Sequence, residues 1–170
     1  MNSMSIRAVF AIITVACLPL VPVASAGDPP AVAAAKPAGV PFRANIIEGV
    51  WNAKVNITVC ATGTLITSFD AMSMFAANGV FQDTNSNNPI LRSAAFGLWN
   101  QVGPREYEFA FRNFRFDTVG TNLGSQVVRH KVELSADGNS YSSEGTSEFY
   151  DVDGNLFMTG CSDAEATRFE

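Results

Sequence analysis

Histidine is nearly absent from this sequence: His130 is the only one in 170 residues. Basic charge is also scarce, and no run of like charge exceeds two residues. A single imidazole supplies no zinc set and leaves no legible nucleophile, base and orienting acid. No motif asks for a cofactor or a metal. The lack of a basic footprint argues against partners held through phosphates, so no nucleic acid is expected.

Long apolar runs are missing with one exception. Ala8 to Val23 is apolar apart from Thr14, follows the positive Arg7 and leads to Ala24-Ser25-Ala26, the small-x-small pattern that signal peptidase accepts. Residues 1–26 therefore read as a signal peptide cleaved after Ala26. A membrane anchor needs about 20 apolar residues, whereas this run is short and broken by Pro19 and Pro22. A lipoprotein site at Cys17 is a poorer fit, because Thr14-Val15-Ala16 lacks the leucine-like residue such sites carry. The expected protein is secreted or periplasmic, with no transmembrane segment in the mature chain. Cleavage leaves ten basic against sixteen acidic residues, a net charge of −6.

Cysteine is sparse as well. Only Cys60 and Cys161 remain after cleavage. One even pair in a secreted chain reads most simply as a disulfide, with two buried free thiols as the alternative. Closing a loop of about 100 residues stabilises a fold by roughly 4–5 kcal/mol in the chain-entropy picture.

Residues 27–44, rich in Pro, Ala and Gly without apolar period, read as a flexible arm. The domain is expected over 45–170. There, helical periodicity is absent and turn signals recur: Asn78-Gly79, Gly103-Pro104, Thr118 to Gly124, Asp137-Gly138-Asn139 and Asp153-Gly154-Asn155. Between them lie runs rich in Val, Ile, Phe, Tyr and Thr, the pattern of successive hairpins. Strands are predicted over 47–60, 68–76, 80–84, 94–102, 106–117, 125–135, 140–150 and 155–169. Eight such strands make an all-β, eight-stranded antiparallel up-and-down barrel. Asp83 to Arg92 reads as the longest loop, at one barrel mouth.

Alternation assigns the faces. Trp51, Ala53, Val55, Ile57 and Val59 share one face of the first strand; Val128, His130, Val132 and Leu134 share one face of the sixth. In the fifth strand, Tyr107, Phe109 and Phe111 are in phase while Phe114 and Phe116 have the opposite parity. A β-bulge near Arg112-Asn113 would account for that slip. If Cys60 faces Cys161 across an antiparallel pair, Trp51 falls opposite Glu170 and diagonal to Arg168. The cysteines then face outward, Trp51 and Arg168 inward, and the two ends of the meander meet.

Gly49-Val50-Trp51, with Arg168 near the end of the last strand, resembles the lipocalin-like (calycin) barrels. In that family the tryptophan of Gly-x-Trp packs on an arginine of the final strand and closes one barrel end. The resemblance therefore implies closure by Trp51 and Arg168, a cation–π contact of about 0.5–2 kcal/mol. The chain departs from true lipocalins in lacking a Thr-Asp-Tyr motif and in its short domain. Ile47 to Glu170 also resembles a group of secreted bacterial proteins of unassigned function. That likeness runs through Phe114-Arg115-Phe116-Asp117, Val128-Arg129-His130, Asp137-Gly138-Asn139-Ser140 and Gly160-Cys161 to Thr167-Arg168-Phe169. More distantly, allene oxide cyclases and dirigent proteins have similar eight-stranded barrels.

Several side chains are candidates for chemistry. Trp99, Tyr107, Phe109, Phe111, Phe114 and Phe116 could line an apolar lumen, or simply fill it. His130, on the inward face, could line the same pocket or transfer protons near neutral pH. Arg112 and Arg115 flank the expected bulge. Either could hold an acidic group of a ligand, the plainer alternative being a solvated wall. Asp151-Val152-Asp153-Gly154-Asn155 has its glycine fourth and Ser162 twelfth, so it fits a hairpin turn and not an EF-hand loop. The leading reading is a secreted barrel binding a small apolar or amphipathic molecule in its lumen. The alternatives are a cyclase or isomerase using His130, with Tyr107 or Tyr141 as a further proton-handling group, and a periplasmic interaction protein or protease inhibitor. The balance favours a binder over an enzyme.

Overall fold

The computed structural model describes residues 46–169. The expected signal peptide (1–26) and arm (27–44) lie outside the described residues. Eight strands follow in order: β1 (Gly49–Thr58), β2 (Leu65–Phe75), β3 (Val80–Asn85), β4 (Ala95–Gln101), β5 (Glu106–Phe116), β6 (Asn122–Leu134), β7 (Ser140–Tyr150) and β8 (Leu156–Arg168). Each pairs antiparallel with its sequence neighbours, and β8 pairs back onto β1 to close the barrel. The expected long loop between β3 and β4 carries one 3-10 turn, Pro89–Leu91, capped by the Asn88 side chain. Its chain ends place the β1–β2, β3–β4, β5–β6 and β7–β8 connections together at one end of the barrel.

The seam between β1 and β8 differs from the expected one by two residues. Trp51 lies directly opposite Arg168, Ala53 opposite Ala166 and Thr58 opposite Cys161. Cys60 sits beyond the end of β1, and its disulfide reaches back diagonally to Cys161 with the Cα atoms 5.1 Å apart. A turn residue can make that bridge without facing its partner across the ladder. A shift of two keeps every side chain on its expected face.

The expected bulge at Arg112-Asn113 is absent. Pairing of β5 with β6 runs unbroken from Glu106 to Arg115 and shifts only between Arg115 and Phe116. The inward series is Tyr107, Phe109, Phe111, Asn113 and Arg115, with Asn113 only 1% exposed. Phe114 lies on the outer face at 55% exposure. Sequence parity fails here because a polar residue holds an inward position and an aromatic one does not. The bulge depends on Gly124, read from sequence as part of a turn. It has φ +105, and a Cβ there would come within 2.1 Å of the Tyr150 carbonyl. Only glycine tolerates that approach.

The end opposite the loop cluster is sealed. Ile47, Trp51 and Leu134 are fully buried there. The Trp51 indole donates to the Ile47 carbonyl at 2.8 Å, and the Trp99 indole to Ala76 at 2.9 Å. Arg168 stacks 4.3 Å from the Trp51 ring centroid and donates to the carbonyls of Ile46, Glu48 and Gly138. One guanidinium thus straps the entering chain, the β6–β7 turn and the lid tryptophan together, the closure that Gly-x-Trp and Arg168 implied.

Candidate functional site

Above this seal the barrel holds a cavity of about 320 Å³ that runs toward the loop-bearing end. Ala53, Val55 and Ile57 of β1 face it, with Ala164 of β8, and their small or branched side chains leave the space open. Broader concavities lie on the outer wall, one of them along Lys54, Asp70, Met72 and Glu165. Those are open to solvent on side chains that point outward, so the lumen is the enclosed site.

One wall of the lumen is aromatic. Phe81 stacks on Phe109 at 4.3 Å and 5°, and Phe109 stacks in turn on His130 at 5.2 Å and 18°. Phe111 lies nearly parallel beside them, 5.6 Å from Phe81. The imidazole lies flat because its cross-strand neighbour is Gly145. A Cβ at Gly145 would sit 1.9 Å from the Arg129 carbonyl and 2.5 Å from the His130 ring.

The polar groups of the lumen form two chains, the first continuing directly from the aromatic stack through His130. In the first, His130 Nδ1 lies 3.0 Å from the Ser143 hydroxyl and Nε2 lies 2.8 Å from the Ser162 hydroxyl. Burial disfavours the imidazolium, opposed only in part by Asp163, and lowers the His130 pKa to about 4. At neutral pH the ring is uncharged, with one nitrogen donating and the other accepting. Both nitrogens end on hydroxyls and neither on a carboxylate, an arrangement that holds the ring in place. In the second chain Ser73, beside the Tyr141 hydroxyl, donates to Asp83 at 3.2 Å, and Arg92 donates to Asp83 at 2.7 Å. Burial raises the Asp83 carboxyl more than Arg92 lowers it, and burial likewise raises the Tyr141 phenol. The charges of this second chain are paired, so the lumen has polar groups without a net field.

The residues singled out from sequence separate into three places. Phe109, Phe111 and His130 line the cavity. Trp99 and Tyr107 point inward at the sealed end, where their rings lie 5.9 Å apart and burial raises the Tyr107 phenol. Phe114 faces outward, and Phe116 lies past the bulge, away from the cavity lining. Asp151 spends its carboxylate on the N–H groups of Asp153 and Asn155 within its own hairpin turn.

Sequence reasoning named Tyr141 only as a companion of His130 in the enzyme alternative, and missed Ser73, Asp83, Arg92, Ser143 and Ser162. A signal was present for part of this set: Tyr141, Ser143 and Ser147 alternate with exposed Ser142 and Glu144 along β7, so small polar residues hold inward positions. Asp83 and Arg92 bracket the longest loop and are joined only by the fold.

No protein-family model matches the chain, and comparison with curated proteins and with solved structures returns no significant match.

Proposed function

We propose that this barrel is a lipocalin-like binding protein that holds a small, amphipathic molecule in its lumen. The observation that carries this reading is the cavity of about 320 Å³, closed at one end and lined by both aromatic rings and hydrogen-bonding side chains. That volume lies at the lower edge of small-molecule sites, roughly 300–1,000 Å³. A flat ligand body would stack on Phe109 and Phe111, and its hydroxyl or carbonyl groups would take bonds from Ser143, Ser162 or Tyr141. The paired charges of Asp83 and Arg92 and the neutral His130 favour an uncharged body at that depth. A disulfide, and the absence among the described residues of any helix long and apolar enough to cross a membrane, are compatible with a periplasmic or extracellular setting.

The test is uptake. The expected result is one-to-one binding of at least one member of a panel of lipophilic fluorophores, seen by native mass spectrometry and by emission. Ala164→Phe, which fills the lumen, should abolish it with the fold retained in circular dichroism. A barrel that takes up no probe, or one whose uptake is indifferent to Ala164→Phe, overturns the reading.

A further inference from the structure

Two buried side-chain polar atoms lack a hydrogen-bond partner among the described residues: Asn113 Oδ1 and an Arg115 guanidinium nitrogen, Nη1. They belong to successive inward positions of β5, toward the end that carries the loops. A buried donor or acceptor left unmet is costly, so a native pair in one place calls for an explanation.

The surroundings of Arg115 narrow what could meet it. Its guanidinium carbon lies 5.2 Å from the ring centroid of Phe149 and 5.6 Å from that of Phe157. Phe149 also lines the lumen, so Arg115 stands beside the cavity at its outer end. The other arginine at this end is already engaged, because Arg92 donates to Asp83 at 2.7 Å. Arg115 makes no ion pair with a carboxylate of the described residues. Aromatic faces orient a planar guanidinium and exclude water from it, but they accept no full hydrogen bond. What Arg115 Nη1 lacks is an acceptor oxygen, and an anionic one would meet its charge as well.

We infer that the lumenal ligand is an amphipathic acid: its uncharged body lies in the cavity and its single anionic head takes Arg115 at the mouth. This rests on the lumen being a binding site. It adds the polarity and direction of the ligand, head outward and body inward. A cation oriented between two rings is matched by a carboxylate, through bonds stronger than neutral ones. Of the two arginines marked by sequence as possible anion holders, the fold selects Arg115; Arg112 is exposed on the outer wall.

The test uses naphthaleneacetic acid and its methyl ester, the same body with and without charge, titrated into the intact protein. The wild type should bind the acid at least about tenfold tighter than the ester, the scale of one charge-assisted hydrogen bond. Arg115→Gln should bring the acid down to the affinity of the ester and leave the ester within about twofold. Equal binding of acid and ester by the wild type overturns the anionic head while leaving lumenal binding intact. A parallel loss of both ligands in Arg115→Gln assigns the arginine to packing and likewise overturns it. Binding of neither ligand overturns this inference, while uptake of the lipophilic fluorophore panel separately decides the lumen reading. The wild-type comparison needs no variant, so it decides the matter even if Arg115→Gln does not fold.

Discussion

The two ends of this barrel are built on opposite principles. At the sealed end the polar groups are consumed internally: the indoles of Trp51 and Trp99 each find a backbone carbonyl, and Arg168 binds three. At the loop end, Asn113 and Arg115 keep unmet atoms, and apolar side chains stand in solvent, Val119 at 85%, Val152 at 63% and Phe157 at 55% exposure. The ladder differs in the same way. Pairing of β8 with β1 runs from Arg168 only as far as Cys161, so Leu156 and residues 158–160 pair with β7 alone. Satisfied hydrogen bonds and full burial concentrate stability at one end; unmet groups and exposed apolar surface mark the other as the end that deals with something outside the chain.

The sharpest way to break this comparison is Trp51→Ala. It removes a fully buried aromatic side chain, the donor to Ile47 and the ring under Arg168. Replacing a buried aromatic residue in this way costs about 3–5 kcal/mol. Urea unfolding followed by tryptophan and far-UV signals should show a loss of that size. A loss below 1 kcal/mol would mean that the sealed end is not where the barrel's stability resides.

Much of this asymmetry was legible in sequence, and what was not has a physical cause. Apolar alternation located all eight strands, because each has one face in the core and the other in solvent. Gly-x-Trp and Arg168 marked the sealed end, since a lid needs a large ring and a cation at fixed positions. The loop end was harder. Sequence parity brings Phe114 inward through a bulge at Arg112-Asn113, whereas the fold turns Phe114 outward and Asn113 inward, because hydrophobicity is the only face signal a strand carries. A lumen built to hold something polar breaks that signal at its most informative positions. The pairing of Asp83 with Arg92 and the serines around His130 depend on closure of the whole barrel, which no local window contains.

A second test concerns the lumen between the two ends. His130 sits at about 4 in the fold against an ordinary 6.5. As pH falls below 6.5 the unfolded chain takes up a proton that the folded protein refuses until about pH 4. The stability present above 6.5 is therefore drained across that window, by roughly 3 kcal/mol in total. Asp83 acts with the opposite sign, because burial raises its carboxyl and the fold binds that proton before the unfolded chain does. The difference between wild type and His130→Gln isolates the imidazole. Urea midpoints should fall more steeply in the wild type between pH 6.5 and 4. Equal slopes would show that the ring accepts its proton in place, and that this part of the lumen is wetter than the sealed end.

The smallest effect is expected at the rim. Val119→Thr, Val152→Thr and Leu156→Thr each replace a side chain that is more than half exposed. Such positions bury little apolar area, so each change should alter unfolding free energy by no more than about 0.5 kcal/mol. Threonine keeps the β-branch of the two valines and introduces at Leu156 one that a strand accepts, which limits backbone effects. The triple variant should therefore unfold within about 1.5 kcal/mol of wild type while binding less of a surface-seeking hydrophobic dye. Two-thirds of that ceiling in a single substitution would already contradict the contrast drawn between the ends. An apolar rim that can be made polar at almost no cost in stability is not there for the fold, and its position around the mouth of a half-polar lumen is then the reason to look for what meets it.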